Sequence, residues 1–223
     1  MRKKNHIIPK IMWIPLFFTL ACNTITYFGS RIFTRSRFHR NISNRVDEKI
    51  PFVPWTVSIY FSCYAFWAAN YIIGCRQEED EAFRFISADF AAKLVCLLCY
   101  MAFPTTNTRP VVDGKSIWDK LMRKLYDMDE ADNLFPSIHC LTSWFSFIAV
   151  RKNKKIPKWY KIVSFLFALS VCVSTLTTKQ HVLIDVFAGV SLSEASYLFV
   201  EQSGFSKWYT KIMKKLYAVI IRN

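Results

Sequence analysis

Two histidines, an aspartate and an arginine stand at the ends of three apolar segments, in a spacing suited to phosphate chemistry. In Thr177-Thr178-Lys179-Gln180-His181-Val182-Leu183-Ile184-Asp185 the histidine and the aspartate are four residues apart. Residues at i and i+4 share one helical face, so Asp185 can accept a hydrogen bond from one imidazole nitrogen of His181 and leave the other free for a substrate. Upstream, Asn133-Leu134-Phe135-Pro136-Ser137-Ile138-His139 sets a second histidine at the start of an apolar run, and Thr105-Thr106-Asn107-Thr108-Arg109-Pro110 follows another with an arginine. A neutral imidazole is a good nucleophile toward phosphorus, and an aspartate fixes its tautomer and stabilises the charge that builds on attack; His181 and Asp185 suit these parts. His139 can give a proton to the leaving alcohol, since imidazole titrates near neutrality. Arg109 offers a planar fork to the non-bridging oxygens, and Lys179 adds a point charge. Ser137, the backbone N–H of Ile138 and the neighbouring Thr178 complete an anion-binding end. The set calls for no metal and no cofactor.

These residues need elements that hold them at a bilayer surface. The chain has 223 residues, is 52% hydrophobic and 17% aromatic, and arranges its apolar residues in blocks separated by charged ones. That composition indicates an integral membrane protein. The formal net charge of +14 comes from basic clusters that flank the apolar blocks, a pattern of lipid headgroup contact and topology signals rather than of nucleic-acid binding. Six apolar stretches, at about 10–29, 52–75, 84–104, 137–150, 159–177 and 181–200, read as membrane helices, and the fold expected is an all-α, polytopic six-helix transmembrane bundle. The short fourth stretch is expected to extend upstream or to tilt. Met1-Arg2-Lys3-Lys4 before the apolar run Ile11 to Leu20 reads as an uncleaved first helix. We divide the chain into residues 1–50 (basic tail, first helix and basic loop), 51–200 (the catalytic bundle) and 201–223 (a basic tail).

An even number of spans puts both basic termini in the cytoplasm and carries residues 151–161 there too. The same topology sends Arg109, His139 and His181 to the outer face, in a cell inner membrane. The basic loop 31–49 dissents from it; either that loop lies on the membrane as an amphipathic stretch or the first block does not span. Residues 113–132 are expected to hold an amphipathic helix, with Ile117, Leu121 and Leu125 spaced along one face, lying over the site. Asp89 and Lys93 form a structural pair or, alternatively, Lys93 reaches the phosphate from below. Glu78 to Glu81 read as a solvated cytoplasmic turn, Asn133 as a residue orienting the loop before Pro136, and the seven cysteines as buried thiols packing as small hydrophobes, the Cys96/Cys99 pair lacking partners at zinc spacing.

The three motifs resemble those of the type 2 phosphatidic acid phosphatase superfamily, whose pattern is Lys-x6-Arg-Pro, Pro-Ser-Gly-His and Ser-Arg-x5-His-x3-Asp. Arg109-Pro110 matches the end of the first, Pro136-Ser137-Ile138-His139 the second, and Ser174 with His181 and Asp185 the third. The resemblance implies a nucleophilic His181, an acid His139 and six helices with an outward-facing site. Ala102, Ile138 and Thr175 stand where the family has lysine, glycine and arginine, so two usual cations are missing, and Lys179 is expected to replace one. The Thr-Lys-Gln-His run is similar to that of inositol phosphorylceramide synthases. The implied partner is a membrane lipid substrate, and the reaction either phosphate hydrolysis or headgroup transfer. A non-enzymatic lipid-binding or transport bundle is the reading outside the enzyme class; with five glycines and no repeat, the chain lacks the interrupted paired helices of transporters.

Overall fold

The computed structural model describes residues 7–222; the basic start Met1-Arg2-Lys3-Lys4 lies outside them. The chain is helical almost throughout. A first helical run, Lys10–Thr34, passes from a 3-10 turn into α1 (Trp13–Thr24), then a π-helical turn at Ile25–Gly29 and α2 (Ser30–Thr34). There follow α3 (Arg45–Lys49), α4 (Val57–Cys75), α5 (Glu79–Ala102), α6 (Ile117–Met128), α7 (Ile138–Arg151), α8 (Lys158–Thr177), α9 (Leu183–Gln202) and α10 (Phe205–Arg222).

Among the described residues four helices, Lys10–Thr34, α5, α8 and α9, are long and apolar enough to cross a membrane, which marks the chain as an integral membrane protein. Their outward residues are apolar (Phe17, Leu98, Leu166 and Phe187 are all exposed) while polar groups such as Thr26, Ser87, Ser174 and Ser193 are buried, the arrangement expected when hydrocarbon is the solvent. The expected second and fourth spans, α4 and α7, do not meet that length and composition. Helix α4 is diluted by Ser, Tyr and Asn residues. Helix α7 has 14 residues, about 21 Å at the α-helical rise, against a hydrocarbon core of roughly 30 Å. It is not extended upstream: Ser137 caps it, its Oγ accepting the Cys140 N–H at 3.2 Å. Helix α7 is the centre of the bundle, packed by α4, α5, α8 and α9, and its side chains are almost all buried.

Close approach at this centre depends on Gly189. A Cβ there would lie 2.5 Å from the Ser137 carbonyl oxygen and 3.2 Å from the Leu141 nitrogen, and backbone atoms cannot yield as a flexible side chain can. Gly189→Ala is therefore expected to cost on the order of 1–3 kcal/mol and to displace the Ser137–His139 turn, seen as a lower thermal midpoint together with reduced turnover.

Asp89 and Lys93 form a buried ion pair at 2.8 Å. Thr19 of α1 (2.6 Å) and Tyr71 of α4 (2.7 Å) both donate to the Asp89 carboxylate, so the pair clamps three helices and the Lys93 ammonium is occupied there. The basic C-terminal tail is an amphipathic helix: α10 lays Tyr209 and Met213 onto α5 and α1. The acidic turn meets cations at the same end of the bundle, where Glu78 pairs with Lys155 at 2.8 Å and Glu79 with Lys214.

The basic loop 31–49 folds over the opposite end. Arg40–Asn41 forms a two-residue parallel pairing with Thr105–Thr106, Arg31 is held by Asp129 and Asp132, and Asp47 accepts the Leu183 N–H at the start of α9 at 2.8 Å. The Arg31 charge is thus neutralised by the structure that the loop covers. The amphipathic stretch forms a helix: α6, opened by a Ser116/Asp119 capping box, buries Met122 and Leu125 against Val57 and Tyr60, whereas Ile117, expected on the inward face, is left exposed at the helix's first residue.

Candidate active site

The site lies where the N-terminal ends of α7 and α9 meet the C-terminal end of α8. Helix α8 stops because Lys179 takes a left-handed conformation, φ 56°, which turns the chain so that both Gln180 N–H (2.9 Å) and His181 N–H (3.0 Å) reach the Thr175 carbonyl. The position is one that glycine occupies without cost. Lys179→Gly is therefore expected to be more stable than Lys179→Ala by about 1 kcal/mol, readable as a difference in thermal midpoint.

Beyond that turn, His181 Nδ1 lies 3.3 Å from Asp185 Oδ2, which also accepts the Val182 N–H at 3.0 Å. The Asp185 carbonyl accepts the Ser137 N–H at 3.1 Å, joining the two histidine-bearing turns directly. His139 stands on the first turn of α7 with its ring centroid 5.9 Å from that of His181. The loop carrying it is pinned by Tyr100, which donates to the Pro136 carbonyl at 2.9 Å, and by Asn133, φ 50°, which donates to Ser30 Oγ at 3.0 Å.

His139, His181, Arg109 and Ile138 line one small chamber together with Gln180, Asp129 and Tyr27. Its volume is about 10 Å³, room for roughly one water, so a phosphate enters only as the walls move apart. Arg109 NH2 donates to Gln180 Oε1 at 2.6 Å and to the Glu130 carbonyl at 3.3 Å, NH1 donates to the Asp129 carbonyl, and the guanidinium lies 4.9 Å from the Tyr126 ring centre. Arg109 Nε and Gln180 Nε2 are buried without a partner. Unsatisfied buried donors on two residues of one chamber suit an anion.

The other anticipated residues stand elsewhere. The Ser137 hydroxyl caps α7. Thr178 turns its hydroxyl to the Ser174 carbonyl at 2.7 Å. The Lys179 ammonium donates to the carbonyls of Asp47 (2.9 Å) and Ile50 (2.5 Å), so it braces the covering loop; it shares with His181 the wall of an outer cavity of about 620 Å³ that also touches Asp47, Glu48, Asn107 and Thr108.

Sequence reasoning missed Gln180, Tyr60, Asp129 and Arg31. Gln180 sits inside the quoted run, one residue before His181, and the mixed charges of 113–132 were the only signal for Asp129. Tyr60 and Arg31 lie far from the motifs in sequence. Tyr60 Oη is 2.8 Å from His139 Nε2 and donates to Asp129 Oδ2 at 2.9 Å.

His139 also lines a largely aromatic cavity of about 170 Å³ with Tyr27, Phe28, Phe61, Tyr64 and Trp67. A second, of about 410 Å³, shares Tyr64 and Trp67 and continues along Leu16, Leu20 and Ile72. Both lie between α1 and α4, because α1 packs on α5 and α10 instead. Among the described residues no cluster of three or more His, Cys, Asp or Glu is placed to hold a metal ion.

No curated protein matches the chain. Residues 37–199 match the model of the PAP2 superfamily, and since that span is most of the chain and contains Arg109, His139, His181 and Asp185, the protein belongs to the PAP2 superfamily.

Proposed function

We propose that this protein cleaves the phosphoester or pyrophosphate of a membrane lipid through a phosphohistidine formed on His181. The observation that carries the reading is the placement of two histidines across one buried chamber, with an apolar crevice leading to His139 and a polar cavity leading to His181. A lipid tail suits the crevice, lined by aromatic side chains and open to hydrocarbon. Its phosphate then lies between the rings, with Arg109 and Gln180 as donors to the non-bridging oxygens. His181 attacks phosphorus while Asp185 steadies the imidazolium, and His139 protonates the leaving alcohol. Water reaching His181 from the outer cavity resolves the intermediate. Six spans with both termini in the cytoplasm would set this end at the outer face of a cell inner membrane.

Headgroup transfer is the second reading, favoured by the size and polarity of the outer cavity, where Asp47, Glu48 and Asn107 offer acceptors to a polyol. Purified protein in detergent, given phosphatidate, a polyprenyl pyrophosphate or an inositol phospholipid with and without diols or inositol, tests both. Free phosphate is expected from a lipid phosphate; a new phospholipid formed only with the added alcohol would replace hydrolysis by transfer, and neither product from any lipid would leave a binding protein. Turnover is expected to survive excess EDTA, since Arg109 supplies the fixed positive charge. Loss on chelation with recovery on added magnesium would reject that assignment.

A further inference from the structure

The end of α6 carries a largely buried carboxylate that the steps above leave unused. Asp129 Oδ2 accepts the Tyr60 hydroxyl at 2.9 Å, and its Oδ1 accepts the Tyr27 hydroxyl and, at 3.3 Å, Arg31. The Tyr60 oxygen is at the same time 2.8 Å from Nε2 of His139. One phenol thus bridges a carboxyl and the imidazole assigned as acid, and Tyr60 is 1% exposed and His139 5%, so the phenol–imidazole contact is shielded from water.

Resting on the reaction proposed above, we infer that Asp129, Tyr60 and His139 form one proton-transfer chain, in which Asp129 acts as positioning residue and proton store for His139. As His181 bonds to phosphorus and the bond to the leaving oxygen breaks, His139 gives the proton on its other nitrogen to that oxygen. With Asp129 protonated, its carboxyl donates to the Tyr60 oxygen and the Tyr60 hydroxyl turns its one proton from Oδ2 to Nε2; that proton then passes to Nε2 as the Asp129 carboxyl proton passes to the Tyr60 oxygen. The alcohol departs neutral and a carboxylate remains. When water or an alcohol attacks the phosphohistidine, its proton returns along the same chain to Asp129 and the phosphorus–nitrogen bond breaks.

The surroundings of Asp129 suit a store that fills and empties near neutrality. Burial pushes its carboxyl up to about 7, with His181 pulling it down and Asp132 pushing it up. The groups facing it are Tyr27 and Arg31 from the first helical run, Tyr60 from α4, His139 from α7, His181, and Asp132 of its own loop, while Arg109 holds its carbonyl. Arg31 and Tyr27 keep the carboxyl aimed at Tyr60 in either protonation state.

The test uses the full chain in detergent and two phosphomonoesters, phosphatidate and 4-nitrophenyl phosphate. The alkoxide of the first needs a proton to leave and the nitrophenolate of the second does not. Asp129→Asn and Tyr60→Phe are each expected to lower phosphatidate turnover by about 10²- to 10³-fold and to lose far less on the aryl ester, with Asp129→Glu recovering part. Equal losses on both esters in either variant would make the residues structural and overturn the proposal. A second readout needs no turnover: a carbonyl infrared band of a protonated carboxyl, titrating near neutral pH, is expected in the parent, absent in Asp129→Asn and shifted in Tyr60→Phe. A band unmoved by Tyr60→Phe would overturn the coupling. If the parent cleaves neither ester while the band behaves as expected, the reaction class fails and the coupled chain stands.

Discussion

His181→Ala is expected to bring turnover down to background, a loss on the order of 10⁶-fold as for removal of a nucleophile in other covalent catalysts, with the helical fold intact. No neighbour can replace the attacking ring: the other imidazole, His139, has its Nε2 engaged by Tyr60 and sits across the chamber. The parent, quenched during turnover of a labelled lipid phosphate, should carry an acid-labile phosphoryl group that the variant lacks. Comparable turnover in the two proteins would discard the covalent mechanism. Asp185→Asn should retain the nucleophile and lose less, on the order of 10²- to 10⁴-fold. Both His181 and the Val182 N–H meet the one oxygen Oδ2, which an amide oxygen can still replace as acceptor, so the loss measures the missing negative charge beside the imidazolium.

The second large effect concerns Arg109. Arg109→Ala is expected to lower kcat/KM by about 10²- to 10³-fold, the scale of losing one charged oxyanion contact. Arg109→Lys should restore little, because a lysine supplies a point charge where the guanidinium serves Gln180 and two carbonyls and still presents a free Nε. Vanadate separates the roles, since its trigonal-bipyramidal form mimics the transferring phosphoryl group. Its affinity should fall together with kcat/KM. If vanadate binds both variants as it binds the parent, Arg109 is a brace for the Asp129–Glu130 loop and the anion contacts lie elsewhere, with Gln180 the first alternative.

The sequence by itself carried the chemistry that local spacing encodes. His181 and Asp185 are close in sequence and do meet, though not on one helical face as their spacing suggests: His181 precedes Val182, the extended N-cap of α9, and the Asp185 carboxylate in the first turn reaches back to both. Ser137 caps α7 because a serine before an apolar run has an N–H to receive, and α6 forms because its apolar residues recur at helical period with a capping box ahead. Apolar block length likewise announced a membrane protein. What lay beyond reach was everything set by contacts between distant segments. The shortness of α7 is tolerable only because four helices enclose it, a fact of packing that hydropathy does not carry. Lys179, adjacent to the site in sequence, is turned away from the chamber by its left-handed backbone and held by Asp47 and Ile50. Arg31, Tyr60 and Asp129, about 108, 79 and 10 residues before His139 in the chain, come to its neighbourhood only when the first helical run, α4 and α6 close around it. The physical reason is one of range: spacing rules act over a turn or two of helix, whereas the groups that set the protonation of a buried imidazole are chosen by which helices the tertiary fold brings to its side.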